Sequence, residues 1–514
     1  MRLYRPFGFA CHSLLFGVAL LSMTHASAGP PNIVLIYADD LGYGDVQAYH
    51  PGSIIPTPHM NRLAEEGMLF TDGHSASTVC TPSRYAILTG RMPFRNGFRG
   101  VFTGVEGPCL INSARLTLPE MLQEAGYHTA LIGKWHIGMT FLDRNGKPVY
   151  QTSNAGGLDL VAHADFSRPI ADGPLNHGFD TFFGTVACPT TDWLYSYIDG
   201  DRLTALPGPV RDRENWPQNP WTQDFRAGVV SPDFDFQEVD MVFLEKSLEF
   251  LEEQAAERPE QPFFLFHSTQ AVHLPSFPSK SIQGKTEAGP HGDFIFQFDD
   301  TVGEIIAKLD ELGLSHNTLV IVTSDNGPEV TAVRNMLEYF DHDGAHPWRG
   351  LKRDQWEGGH RVPFLVKWPG KINAGSLSDQ TISQTDLMHT FAAMVGYELP
   401  DDAAEDSFNF LPVFLGEATE PVRPYTLHQT HKLELAIRQG PWKYLDHRGS
   451  GGNDYSREKM RFARRAGSDW LAPGQLYNLD EDPQEMHNLY HQHPEKVEQL
   501  KELLEATKQS GRSR

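Results

Sequence analysis

Ile33-Val34-Leu35-Ile36-Tyr37, running into Asp39-Asp40-Leu41-Gly42, is the stretch that decides the fold. An unbroken apolar run with no polar alternation suits a strand buried on both faces. Leu319-Val320-Ile321-Val322-Thr323 repeats the form and runs into Asp325-Asn326-Gly327-Pro328. His128 to Ile132 and Phe263 to Phe266 are two more such runs. Helical periodicities lie between them. Met241, Leu244, Leu248 and Leu251 share one face, as do Val302, Ile305, Ile306, Leu309 and Leu312. Thr117-Leu118-Pro119-Glu120 has capping-box spacing and opens a helix that Gly126 ends. Buried strands alternating with helices imply an α/β fold, a large, mixed, mainly parallel sheet sandwiched by helices. Past about residue 420 the pattern changes. Leu433 to Arg438 and Trp442 to Leu445 read as paired strands, 450–472 as a loop, and Val497, Leu500, Leu503 and Leu504 as one face of a last helix. The expected organisation is a targeting segment over 1–28, a large α/β domain over 29–420 and a smaller α+β domain over 421–514.

The 514 residues are 40% hydrophobic and 11% aromatic, enough for a large core, which excludes a mostly disordered chain. Forty-three Lys and Arg stand against 66 Asp and Glu, a net charge of −23. That balance argues against a nucleic-acid binder or a basic membrane-surface protein. An anionic substrate therefore needs a local cluster of cations or a metal. Four cysteines exclude a disulfide scaffold and a Cys-rich zinc fold. Arg2 and Arg5, the apolar stretch from Phe7 to Met23, and Ala26-Ser27-Ala28 form the three parts of a secretory signal peptide. The alternative, an N-terminal membrane anchor, fits less well, because the run is short, contains His12 and ends in small residues. No later run approaches ~20 apolar residues, so no stable membrane insertion is expected. A secreted or periplasmic location follows. Cleavage would remove Cys11 and two Arg but no acidic residue, which leaves −25. Cys109 and Cys188 then either form a disulfide or stand as separate buried thiols.

Two of the predicted strands end in oxygen ligands. Sites in open parallel sheets form at the carboxyl ends of strands. If the two strands are neighbours, Asp39, Asp40, Asp325 and Asn326 converge. Carboxylates that close repel unless a cation neutralises them. Hard oxygen donors favour Ca²⁺ or Mg²⁺ over Zn²⁺. Taken singly, each Asp or Asn pair also suits a simple turn. In Cys80-Thr81-Pro82-Ser83-Arg84, Pro82 suits a first helical turn, and Gly90 can end the helix. Cys80 then sits at a helix N-terminus, where backbone N–H groups favour an anion, and Arg84 can point back to the same spot. Alone, the motif is equally a buried cysteine at a helix start.

Cys80-Thr81-Pro82-Ser83-Arg84, with Leu88-Thr89-Gly90-Arg91, resembles the signature of the formylglycine-dependent sulfatases of the alkaline phosphatase superfamily. Gly133-Lys134-Trp135-His136-Ile137-Gly138 resembles that family's second signature, and Asp39-Asp40 and Asp325-Asn326-Gly327 are similar to its metal ligands. Pro441-Trp442-Lys443-Tyr444 and Leu476-Tyr477-Asn478-Leu479 are similar to its C-terminal domain. The likeness leans toward the arylsulfatase and N-acetylgalactosamine-sulfatase branch. It implies that a maturation enzyme oxidises Cys80 to formylglycine, whose hydrated form is a gem-diol. Asp39, Asp40, Asp325 and Asn326 would hold Ca²⁺ (or Mg²⁺) with one diol oxygen from residue 80. Arg84 would hold the modified residue, and Lys134 and His136 would flank it. His273 and Lys352 match the positions that contact the sulfate. His267 fits less well and reads as a core or loop histidine.

The implied reaction is hydrolysis of a sulfate monoester on a sulfated saccharide, with an aryl sulfate as the lesser alternative. One hydroxyl of the diol attacks sulfur, and deprotonating the other expels sulfate, an exit that a plain thiol lacks. A metal would acidify the attacking hydroxyl, and Lys134 and Lys352 would add positive charge. His273 would protonate the leaving oxygen, and His136 would accept the proton that collapses the diol. Two other readings are a phosphodiester or phosphonate hydrolase with the same nucleophile, and a sulfated-glycan binding protein without turnover. Trp193, Tyr195, Tyr197, Trp216 and Trp221 either stack on sugars or pack a long loop. His342, His346, Trp348 and Arg349 are candidates for the pocket rim.

Overall fold

The computed structural model describes the chain except residues 2, 4–28, 151–155, 213, 215–217, 224 and 464–470. The expected targeting segment thus lies almost entirely outside the described residues. No helix among them is long and apolar enough to cross a membrane.

A ten-stranded sheet organises the chain. In chain order its strands are β1 (Asn32–Ala38), β2 (Met68–Phe70), β3 (His128–Lys134), β4 (Thr181–Thr185), β5 (Ile198–Asp199), β6 (Arg202–Leu203), β7 (Phe263–Ser268), β8 (Thr318–Ser324), β9 (Phe364–Lys367) and β10 (Ser376–Ser378). Their spatial order is β6-β5-β4-β3-β7-β1-β8-β9-β2-β10. The five central strands, β4-β3-β7-β1-β8, are all parallel, and antiparallel pairings begin on either side of them. The apolar runs read as strands are these central ones. They carry no polar alternation because both faces are covered. Ile33, Leu35 and Tyr37 of β1 enter one apolar core, and Val34, Ile36 and Ala38 enter the other.

Helices α1 (Cys80–Thr89), α2 (Leu118–Glu124) and α5 (Leu387–Val395) cover the first face, and α3 (Val239–Glu257) and α4 (Gly289–Glu311) cover the second. Helix α2 begins as its sequence dictates. Thr117 accepts from the Glu120 N–H, and the Glu120 carboxylate accepts from the Thr117 N–H at 2.8 Å. Gly126, at φ +92°, follows its end.

A second, antiparallel sheet comprises β11 (Thr426–Gln429), β12 (Leu435–Gln439), β13 (Trp442–Leu445) and β14 (Gln475–Asn478), with α6 (Pro494–Ser510) against it. Leu427, Ile437, Leu476, Leu500 and Leu504 close on Ala76, Ala86 and Met92 around α1. The expected 450–472 loop contains a short 3-10 turn at Glu458–Ala463.

A buried polar network ties the second sheet to the first. Lys443 of β13 lies 2.9 Å from Glu357 and 2.9 Å from Glu485. Arg361 and Arg438 reach Asp72 at 3.1 and 2.9 Å. Lys443, His360, His74 and Asp72 follow one another at 3.2, 3.0 and 2.9 Å. His428 stacks on His360 with ring centroids 3.9 Å apart. Burial holds all three imidazole pKa values below the ordinary range.

Candidate active site

Four neighbouring strands, β3, β7, β1 and β8, end at the same edge of the sheet, and each hands its next residues to one pocket. Asp39 and Asp40 follow β1, and Asp325 and Asn326 follow β8. Lys134 ends β3, His136 comes two residues later, and His273 follows β7. The strands approach closely here. A Cβ on Gly133, at φ +119°, would lie 1.8 Å from the Ser268 carbonyl oxygen. Asp40 and His136 both adopt left-handed backbone, at φ 64° and 62°. Non-glycine residues held there mark sites where the surroundings over-determine the conformation.

Cys80 is the first residue of α1, 2% exposed, with Gly90 as a left-handed C-cap. Arg84, one turn on, points back as expected. Its Nε and an Nη hydrogen-bond Asp325 at 3.1 and 2.9 Å, and its other Nη donates to the Lys134 carbonyl at 3.1 Å and to Ser268 Oγ at 2.5 Å. Three buried cations thus meet three buried carboxylates, Arg84 with Asp325, Lys134 with Asp39, and Lys352 with Asp40 at 2.7 Å. Asn326 donates to Asp40 at 2.7 Å, and His273 Nε2 lies 3.8 Å from the same carboxylate.

The electrostatics follow from burial and pairing. Burial alone would push the Asp39 carboxyl up, but Lys134, His273, Arg84 and Lys352 hold it well below the usual range. Asp325 is pushed up to about 8, first by burial and then by the Asp39 charge. His273, despite burial, is raised to about 10 by Cys188, Asp40 and Asp39. His136 goes the other way, because burial outweighs its attraction to Cys80.

Asp39 Oδ1 and Asn326 Oδ1 are buried without a hydrogen-bond partner. A donor atom from each of Asp39, Cys80 and Asp325 falls within 4.8 Å of the others, as do donors of Asp39, Asp40 and His273. Orphaned hard oxygens beside three carboxylates fit an oxygen-seeking divalent cation. Every residue predicted as catalytic or metal-binding is therefore in one place. A cavity of about 470 Å³ opens above them, with Cys80, His136, His273 and Lys352 on its wall.

The structure also adds and corrects. Cys80, Cys109 and Cys188 are all free. Of the two readings of Cys109 and Cys188, separate buried thiols is the one that holds. Cys188 lies in the pocket, 3.0 Å from Lys134 Nζ and 3.8 Å from both His136 Nδ1 and His273 Nε2. It hydrogen-bonds Cys80, which with burial raises the Cys80 thiol pKa. Sequence reasoning missed the place of Cys188 because Thr181-Phe182-Phe183-Gly184-Thr185 is not among the runs read as strands. That run is β4, beside β3, so the segment after it reaches the same edge. Asp192, Arg226, Glu329 and Arg353 also line the pocket wall and were not singled out from the sequence.

The rim assignment for 342–349 does not hold. His342 hydrogen-bonds Asp45 at 2.9 Å, His346 stacks on His50, and Trp348 meets Tyr43 edge-on. Arg349 lies over Trp356 and hydrogen-bonds the Glu485 carbonyl. Tyr195, Tyr197 and Trp221 are buried in the second-face core, so they pack the loop. Trp193 is half-buried beneath Arg226, and Trp216 lies outside the described residues. His267 is a core histidine as expected, bonded to Ser247 at 2.7 Å and pushed down to about 3 by burial.

Comparison with known proteins agrees with this geometry. Residues 31–397 match the Sulfatase family model, and residues 344–510 match the model for the C-terminal part of N-sulphoglucosamine sulphohydrolase. The chain is 33% identical to an N-acetylgalactosamine-6-O-sulfatase of Bacteroides thetaiotaomicron over 536 aligned positions, covering 96% of this chain and 98% of that one. It is 33% identical to the N-acetylgalactosamine-6-sulfatase of Canis lupus familiaris, covering 80% of this chain and 71% of that one. A solved Bacteroides thetaiotaomicron sulfatase, from a core locus for metabolism of multiple glycosaminoglycans, superposes with a TM-score of 0.77 at 30% identity, covering 94% of this chain and all of that one. Family members generally carry formylglycine and a divalent metal. The chain belongs to the sulfatase family and is an enzyme that hydrolyses sulfate monoesters.

Proposed function

We propose that the substrate is a sulfated carbohydrate, specifically the 6-O-sulfate of an N-acetylgalactosamine residue, and that Cys80 acts as formylglycine at a Ca²⁺ site. The observation that carries the reading is the meeting of Cys80 with three carboxylates, two lysines and two histidines beside one pocket. The substrate assignment draws on the relatives' stated specificity. Asp39, Asp40, Asp325 and Asn326 would hold the ion, and residue 80 as a hydrated aldehyde would supply one hydroxyl to attack sulfur and a second whose deprotonation would release sulfate.

The chain's own residues do the rest. Arg84 fixes Asp325 and the base of α1. Lys134 and Lys352 set positive charge against the sulfuryl oxygens, which makes a pocket able to bind an anion in a chain of charge −23. His273, on the pocket wall with its Nε2 3.8 Å from Asp40, can give a proton to the leaving sugar oxygen. His136, held neutral by burial, can take the proton whose removal frees sulfate. Export through a signal peptide and conversion of Cys80 by a maturation enzyme complete the proposal.

Peptide mass spectrometry across Cys80, on protein made in a host that converts a control sulfatase, tests it. The expected mass is that of an aldehyde in place of the thiol. The converted protein should release sulfate from 6-sulfated N-acetylgalactosamine, and a chelator should abolish turnover until Ca²⁺ is restored. An intact thiol in every molecule, with the control converted, overturns the formylglycine reading.

A further inference from the structure

Asp192 sits on the pocket wall with Cys80 and His273 but takes no part in the carboxylate–cation pairs at its floor. It is 1% exposed. Its Oδ1 accepts the N–H of Trp193 at 2.8 Å and the N–H of Gly104, which fixes the carboxyl plane. Its Oδ2 is buried and has no hydrogen-bond partner. An orphaned buried oxygen beside a ligand pocket calls for a donor from the ligand. The donor cannot be the sulfate, whose oxygens a carboxylate repels. It must come from the group that carries the sulfate.

We infer that Asp192 is a specificity-determining residue whose free oxygen exchanges a hydrogen bond with a hydroxyl of the sugar ring bearing the sulfate. Arg226, stacked on Trp193 with its guanidinium carbon 5.2 Å from the ring centroid, lines the same wall and bounds the ring's place. A simple aryl sulfate has no hydroxyl to offer, so Asp192 favours sulfated sugars over aryl sulfates. Burial pushes the Asp192 carboxyl up to about 8, so near neutral pH its free oxygen largely carries a proton, and a hydroxyl, which both accepts and donates, complements the acid and the carboxylate alike. The inference rests on the sulfated-carbohydrate reading above.

The test compares kcat/KM of the converted wild type, Asp192→Asn and Asp192→Ala on 6-sulfated N-acetylgalactosamine and on 4-nitrophenyl sulfate. The readout is the sugar-to-aryl ratio. Asp192→Ala should lower that ratio about 3- to 10-fold, the range for a lost buried hydrogen bond between neutral groups. Asp192→Asn keeps an acceptor oxygen and the packing, so its ratio should fall less. An unchanged ratio in Asp192→Ala, whether or not overall activity falls, overturns the inference, since a structural role lowers both substrates together. If the wild type turns over the aryl sulfate but no sulfated sugar, the carbohydrate reading fails and this inference with it. Should Asp192→Ala not fold, the ratio in Asp192→Asn decides, with a sugar lacking the ring hydroxyls as comparison. Equal discrimination by wild type and Asp192→Asn against that analogue refutes the role.

Discussion

Replacing Lys443 with Met removes the ammonium between Glu357 and Glu485. Lys443 is fully buried, and each carboxylate lies 2.9 Å from it. Glu357 keeps Arg361 at 3.1 Å and Arg438 at 3.9 Å. Glu485 has no other cation within 4 Å among the described residues. Breaking a buried pair by removing one partner costs about 3–5 kcal/mol, and that loss is expected at about pH 8. The pH dependence is the sharper test. Burial holds the Glu485 carboxyl at about 7 even with Lys443 beside it. Without the lysine it rises further. The folded variant then binds a proton that the unfolded chain, with an ordinary carboxyl pKa of about 4.3, has already released. Below about pH 7 both folded proteins hold that proton, so the penalty relative to wild type grows as pH climbs from about 7 toward the variant's higher folded pKa, and it is smallest in acid. Relative to wild type, the loss at about pH 5.5 should be no more than about half of that at pH 8. Lys443→Met with Glu485→Gln should lose less than the single variant at pH 8 and show little pH dependence. Urea midpoints at the two pH values give these differences, provided the slopes match. An equal loss at both pH values, or a double variant no more stable than the single, would refute the reasoning.

Three further outcomes are expected. Gly133→Ala puts a Cβ 1.8 Å from the Ser268 carbonyl oxygen and should cost at least about 3 kcal/mol or prevent folding, read from the urea midpoint and soluble yield; a loss below about 1 kcal/mol contradicts the close strand approach. Thr117→Ala removes the α2 cap and should lower stability by about 1 kcal/mol in thermal unfolding while kcat/KM stays constant. Burial keeps His74, His360 and His428 neutral when folded, so the unfolded chain takes up protons first and stability falls as pH drops below about 6.5. His428→Phe should flatten that decline between about pH 6.5 and 5 in urea titrations, and a slope equal to wild type counts against the buried-neutral state.

Residues 33–37 and 319–323 were legible because burial on both faces leaves no polar alternation in the run, and their following Asp and Asn residues mark the site edge. Cys80, Arg84, Lys134 and His136 were legible through local motifs. Cys188 and Asp192 were not. Their place depends on β4 lying beside β3, a pairing between segments some fifty residues apart that no local pattern encodes. The charge network is harder still, since Asp72, Glu357, Lys443 and Glu485 meet only in the folded chain. The 342–349 segment misled for the opposite reason. Its His, Trp and Arg residues have the types expected at a pocket, yet each is held by a partner elsewhere.

The assembly of one pocket from distant segments sets a clock. Lys352 is among the groups that enclose Cys80, so burial of the thiol cannot be complete before that residue is made. At ~5–20 residues per second, the roughly 270 residues between them take on the order of 15 to 55 seconds to synthesise. During that interval the thiol lies on an unfinished chain, within reach of another macromolecule. Once β8 docks and Lys352 closes over Asp40, the pocket admits only small molecules. Any enzyme that must grip the chain around Cys80 has a deadline set by the order of the strands.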